Sequence, residues 1–160
     1  MKINIDGSSR GNIGHAGIGA IGRGNDGGVV FLFSIYKVHH SNNLMEALAI
    51  KTAMERGCSL GWKKIICEFD SQIVVDMLNN QSWENVNWKL ASLARQILSL
   101  CSSLDFFSFR HIPRKWNRVA DFFAKWASEN VDSWDISGRD ELPTNYHRTL
   151  DQLLLDDKNM

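Results

Sequence analysis

Lys2-Ile3-Asn4-Ile5-Asp6-Gly7-Ser8 is the stretch from which the rest of the chain is read. Apolar and polar residues alternate up to Asp6, the period of a strand, and the glycine after it permits a turn. A second run of similar design, Lys64-Ile65-Ile66-Cys67-Glu68-Phe69-Asp70, also ends on an acid and is followed by Ser71-Gln72. If the two strands lie side by side, both acids arrive at the same carboxyl edge of a sheet, where open α/β folds place their ligands.

Two more acids stand in helical contexts. Glu46 lies in Ser41-Asn42-Asn43-Leu44-Met45-Glu46-Ala47, and Asp121 in Asn117-Arg118-Val119-Ala120-Asp121. Oxygen-only carboxylate clusters suit hard divalent ions such as Mg²⁺, and a pair of such ions clamps a phosphodiester for hydrolysis. Taken singly, each acid has an ordinary account as a solvated side chain, and helix capping alone would explain Asp70. Four acids in separate segments, each placed to converge, point to nuclease chemistry.

Outward from these runs the elements alternate. Strands are expected over residues 2–6, 16–23 and 29–38, with a glycine-rich turn over 7–14 and a hairpin turn at Asn25-Asp26-Gly27-Gly28. A helix over 43–57, a strand over 64–69, helices over 72–78 and 88–101, a strand over 104–112 and a helix over 117–128 follow. Right-handed crossovers set the later strands parallel to the first, with helices covering the sheet. Beyond residue 129 the periodicity fades, leaving residues 129–160 as an acidic tail, loose or partly helical over 146–155.

Asp6-Gly7-Ser8, Asn42-Asn43-Leu44-Met45-Glu46, Asp70-Ser71-Gln72 and Asn117-x-x-Ala120-Asp121 resemble, in order and spacing, the four catalytic blocks of type 1 ribonuclease H. With Gly11-Asn12 after the first block, the pattern is most similar to ribonuclease H-like domains of plant non-LTR retrotransposon proteins. The resemblance covers residues 2–128. It implies an α/β fold with a five-stranded mixed sheet in the order 3-2-1-4-5. It also implies endonucleolytic hydrolysis of the RNA strand of RNA–DNA hybrids, leaving a 5′ phosphate and a 3′ hydroxyl.

On that resemblance Asp6, Glu46, Asp70 and Asp121 are both catalytic and metal-binding. They would hold two Mg²⁺ ions, with Mn²⁺ as a substitute. Asn12, Asn42 and Gln72 match positions that read 2′ hydroxyls in a shallow minor groove, and amides both donate and accept there. Asn12 and Asn42 also have a plain account as turn residues. Ser41 matches a contact to a DNA-strand phosphate. The family carries a mobile histidine before the last acid, for which His111 is the candidate here. Arg114, in the basic segment Arg110-His111-Ile112-Pro113-Arg114-Lys115-Trp116-Asn117-Arg118, is the expected substrate-binding cation and a partial replacement for that histidine.

Other family members insert a basic, Trp-rich protrusion between the middle helices. Here residues 79–87 are short and carry no Lys or Arg, and Trp83 and Trp88 read as packing residues. A competing function is therefore a catalytically weak or inactive nucleic-acid-binding module left by a mobile element. A proofreading exonuclease of the same fold ranks lower, because those enzymes place a second acid two residues after the first, where Ser8 stands.

Composition fits this picture. The 160 residues suffice for one core, and the 44% apolar and 22% charged content is that of an ordinary globular protein. Net charge is zero, yet residues 1–128 carry 15 Lys and Arg against 10 Asp and Glu, whereas the remainder carries 3 against 8. The front part is thus +5 and suited to a polyanion, all the more once bound ions neutralise four of its acids. The longest apolar stretch, residues 29–36, is too short for a membrane span, and no signal peptide is visible. Three widely spaced cysteines exclude a complete disulfide framework and favour an intracellular, reducing compartment. A monomer or a fragment of a longer polyprotein is expected.

Gly17-Ile18-Gly19-Ala20-Ile21-Gly22 fits the dinucleotide fingerprint G-x-G-x-x-G only as a string. The glycines lie within a strand-period run with no helix after it, so they are read as sites of close packing or a bulge.

Overall fold

The computed structural model describes residues 1–10, 14–38 and 41–158. Three antiparallel strands come first: β1 (Lys2–Arg10), β2 (His15–Arg23) and β3 (Val29–Val38). Then follow α1 (Asn42–Ser59), β4 (Lys64–Phe69), α2 (Gln72–Asn80), α3 (Trp88–Cys101), β5 (Phe106–His111) and α4 (Arg118–Asn130). A last strand, β6 (Trp134–Ser137), and helix α5 (Thr144–Lys158) close the chain. The sheet order is β5-β4-β1-β2-β3-β6, with β4 parallel to both β1 and β5. The expected five strands stand in their expected order, and a sixth extends the sheet.

That sixth strand was invisible in the sequence because it is only four residues long. It pairs antiparallel with β3, from Phe31↔Ser137 to Ser34↔Trp134. Its one buried side chain, Ile136, joins Ile21, Leu32, Val119, Phe123, Leu150 and Leu153 in a core between the sheet, α4 and α5. From the opposite side Arg56 of α1 donates to Ser137 Oγ at 2.5 Å and faces Asp135 at 3.7 Å. Trp126 donates to the Tyr146 hydroxyl at 2.6 Å, fixing α5 on α4.

The larger core lies on the other face, where Ile3, Ile5, Ile18, Phe31, Phe33 and Phe69 meet α1, α2 and α3. Side chains alternate strictly across β2: Ile18 and Ala20 face α1, whereas Ile21 faces α4. Gly17 and Gly19 share the α4 side. A Cβ on Gly17 would lie 2.1 Å from the Ala124 carbonyl oxygen, and one on Gly19 would lie 2.5 Å from that of Ala120. Gly22 backs against the Phe31 ring, and the register shifts between Gly22 and Arg23. The fingerprint-like glycines thus serve helix-on-sheet packing and a bulge, as their period implied.

Strand β1 runs past Asp6, where a turn was expected. Gly7, Ser8, Ser9 and Arg10 find partners in Ile18, Gly17, Ala16 and His15, so the hairpin with β2 keeps the chain extended. The pairing of β1 with β4 ends at Asn4↔Glu68. Asp6 therefore protrudes just beyond β4, next to where Asp70 follows Phe69. Trp83 packs on the larger core as read, with the Arg95 guanidinium 5.9 Å from its ring centre. Trp88 does not: it is 73% exposed on the first turn of α3, with the Lys89 ammonium 5.6 Å from its ring centre.

Candidate active site

Asp6, Glu46 and Asp70 come together at the carboxyl edge of the sheet. One carboxylate oxygen from each lies within 4.8 Å of the other two. Glu46 arrives because α1 presses directly on β1 at a glycine. A Cβ on Gly7 would meet the Glu46 nitrogen and the Met45 carbonyl carbon, both at 2.6 Å. The Gly7 N–H in turn donates to Glu46 Oε2 at 3.0 Å and sets the carboxylate's orientation. Ser71, not Asp70, caps α2 by accepting from the Val74 N–H at 3.3 Å. The capping account of Asp70 is thereby removed.

Asp121 sits in the first turn of α4, close enough to Asp6 to act on its proton affinity. Lys125, one turn on, holds Asp121 Oδ2 at 2.7 Å. Arg114 Nε stands 3.3 Å from Asp121 Oδ1 and 3.4 Å from Asp70 Oδ2, linking the fourth acid to the cluster. Lys125 escaped the sequence reading, although acid-to-lysine spacing of four on a helix is a recognisable pair.

The electrostatics are those of a site built for a cation. Asp6 is 1% exposed and Glu46 3%. Burial, then the charges of Glu46, Asp70 and Asp121, hold the Asp6 carboxyl well above the usual carboxylate range, against the pull of Arg114. Burial and the Asp70 charge push Glu46 up to about 8, although the Gly7 N–H and Arg114 oppose this. Asp6 Oδ2 and Glu46 Oε1 are buried without a hydrogen-bond donor, and Asp121 Oδ1 has only its ion pair with Arg114. Such orphaned lone pairs are costly, and a hard divalent ion satisfies several at once. The donor set fits a metal ion.

An open cleft of about 540 Å³ extends from the acids, with Asn42, Gln72 and Arg114 on its wall. Gln72 donates to Asp76 at 2.7 Å, which aims its amide from the first turn of α2. Ser41 is the cap of α1, accepting from the Leu44 N–H at 3.4 Å. Asn43 and Ser9 also line the cleft and were not singled out in the sequence. His111 ends β5 as an exposed residue beside Phe69 and is not among the cleft-lining side chains. Asn12 lies outside the described residues.

The reverse transcriptase-like family matches residues 4–127. The crystal structure of RNase H1 from Halobacterium salinarum superposes with a TM-score of 0.75 at 30% identity, covering 81% of this chain and 97% of that one. The chain belongs to the ribonuclease H family. The ribonuclease HI sequence of the same archaeon is 31% identical over 127 residues, 79% of this chain and 63% of that protein. A bifunctional protein of Mycobacterium tuberculosis is 29% identical over 130 residues, 81% of this chain but 35% of the relative. The chain thus spans less than two thirds of these curated relatives. Another ribonuclease H of this fold, LC11 RNase H1 in complex with an RNA/DNA hybrid, aligns with a TM-score of 0.74 at 26% identity, over 81% of this chain and 97% of that one. Among the described residues no helix is long and apolar enough to cross a membrane.

Proposed function

We propose that the protein hydrolyses the RNA strand of RNA–DNA hybrids endonucleolytically, with two Mg²⁺ ions that Mn²⁺ can replace. The observation that carries this reading is the convergence of Asp6, Glu46 and Asp70 oxygens within 4.8 Å, in a ribonuclease H-family chain. Asp6, Glu46, Asp70 and Asp121 would hold the ions. Such ions, once bound, activate water and stabilise charge on the departing 3′ oxygen.

The chain's own residues define the rest. The Gly7 N–H engages Glu46 Oε2 and leaves Oε1 for the ion. Lys125 fixes one oxygen of Asp121 and leaves the other facing Arg114. Asn42 and Gln72, on the cleft wall, offer amides to 2′ hydroxyls, the groups by which RNA is told from DNA. Arg114 offers charge to a phosphate. The sequence blocks support an origin in plant retrotransposon proteins, and the match to the reverse transcriptase-like family is in keeping with a mobile-element source. Free Cys58, Cys67 and Cys101 suit a reducing compartment.

The test is incubation of purified protein with end-labelled hybrid, with and without Mg²⁺, beside Asp70→Asn. Metal-dependent cleavage lost in the variant is expected. Hybrid binding without turnover would replace this reading with that of an inactive binding module.

A further inference from the structure

The cluster of acids already contains a cation, and it belongs to the chain. Arg114 begins a single 3₁₀ turn, Arg114–Trp116, held between Pro113 and Asn117. Its guanidinium pairs with Asp70, from the end of β4, and with Asp121, from α4. These acids come from different elements, and Arg114 is the side chain that joins them. Asp70, itself half-buried, is also a member of the triad with the buried Asp6 and Glu46. An ion drawing on Asp70 Oδ2 and Asp121 Oδ1 would take the oxygens that the guanidinium now faces.

We propose that Arg114 is a tethered counter-cation that competes with the divalent ion. It holds Asp70 and Asp121 together while no ion is bound, yields their oxygens when one arrives, and then presents its charge to substrate phosphate in the cleft. The proposal rests on the divalent-ion reading of the site. Three features support the exchange. The Arg114 side chain is 62% exposed, so it leaves the acids at little desolvation cost. Guanidinium is permanently charged and weakly hydrated, so it serves carboxylate and phosphate alike. Lys125 retains the other oxygen of Asp121, so that acid stays oriented after Arg114 departs.

A competitor and an organiser predict opposite effects of removing the side chain. Titration calorimetry of the metal-free chain with Mn²⁺ and Mg²⁺ distinguishes them, with Arg114→Gln, Arg114→Lys and Asp70→Asn as variants. Loss of one positive charge at this range is expected to tighten ion binding about threefold to tenfold in Arg114→Gln. Arg114→Lys keeps the charge and should stay near wild type. In turnover, Arg114→Gln should show a raised KM for hybrid. Ion binding unchanged or weakened in Arg114→Gln overturns the proposal, and an unchanged KM overturns its phosphate half. If Asp70→Asn binds ions as wild type does, the divalent-ion reading itself fails, a separate outcome.

Discussion

Asn117 donates from Nδ2 to the carbonyl oxygen of Ile5 at 2.7 Å, tying the start of α4 to the residue before Asp6. The same residue's backbone oxygen accepts from the Asp121 N–H at 3.0 Å. One buried amide thus sets the spacing between the first and last acids. Asn117→Ala leaves the Ile5 carbonyl without its donor and is expected to cost ~1–3 kcal/mol. Urea unfolding measures that cost. The kcat on hybrid should fall further than the lost stability explains, because Asp6 and Asp121 separate.

Metal-free stability should decline as pH rises. Asp6 and Glu46 bind protons more tightly folded than unfolded, and for Glu46 the folded state carries the extra proton between the ordinary value of 4.5 and about 8. Stability is fullest below that window and lost through it. Melting curves from pH 5 to 9 should show the fall, and Mg²⁺ should reverse it at the alkaline end. Glu46→Gln should raise the metal-free melting temperature at pH 8 by about 3–8 °C and abolish the Mg²⁺-induced shift.

Gly7→Ala should damage the site more than its size implies. The added methyl meets α1 backbone at 2.6 Å, where no flexible side chain can yield. A destabilisation of roughly 1–3 kcal/mol is expected. Displacement of Glu46 should also raise the Mg²⁺ concentration needed for half-maximal cleavage. Unchanged metal dependence in a destabilised variant would show that Glu46 does not take its position from Gly7.

Hybrid binding should be weak and steeply salt-dependent. Residues 79–87 carry no Lys or Arg, so grip rests on Arg114, Lys115 and neighbouring cations. Affinity measured with Asp70→Asn should drop at least tenfold between 50 and 200 mM salt, on the order expected for a few phosphate contacts. A flat salt response contradicts this.

The convergence of Asp6, Glu46 and Asp70 and most element boundaries were legible because strand and helix periods are long and the blocks around the acids are distinctive. Helix α3 falls on its expected residues, and β5 is shorter than its apolar run because Leu104 closes the turn after α3. The continuation of β1 was hidden by Gly7, read as a turn but required by the approach of α1. Trp88 was misplaced because an aromatic at helical spacing says nothing of whether anything covers it. The Arg114 bridge is long-range, joining β4 to α4, and no local pattern marks such a contact. Strand β6 is too short to show a period at all.

Strand β6 also has a temporal consequence. Residues 134–158 leave the ribosome after β3, so Val29–Val38 spends its first moments with its outer row of backbone N–H and C=O groups unpaired. Open flanks recruit strands from other chains. In the folded chain β6 covers Phe31–Ser34 of that edge, and shortening the chain to residue 130 should increase self-association during expression.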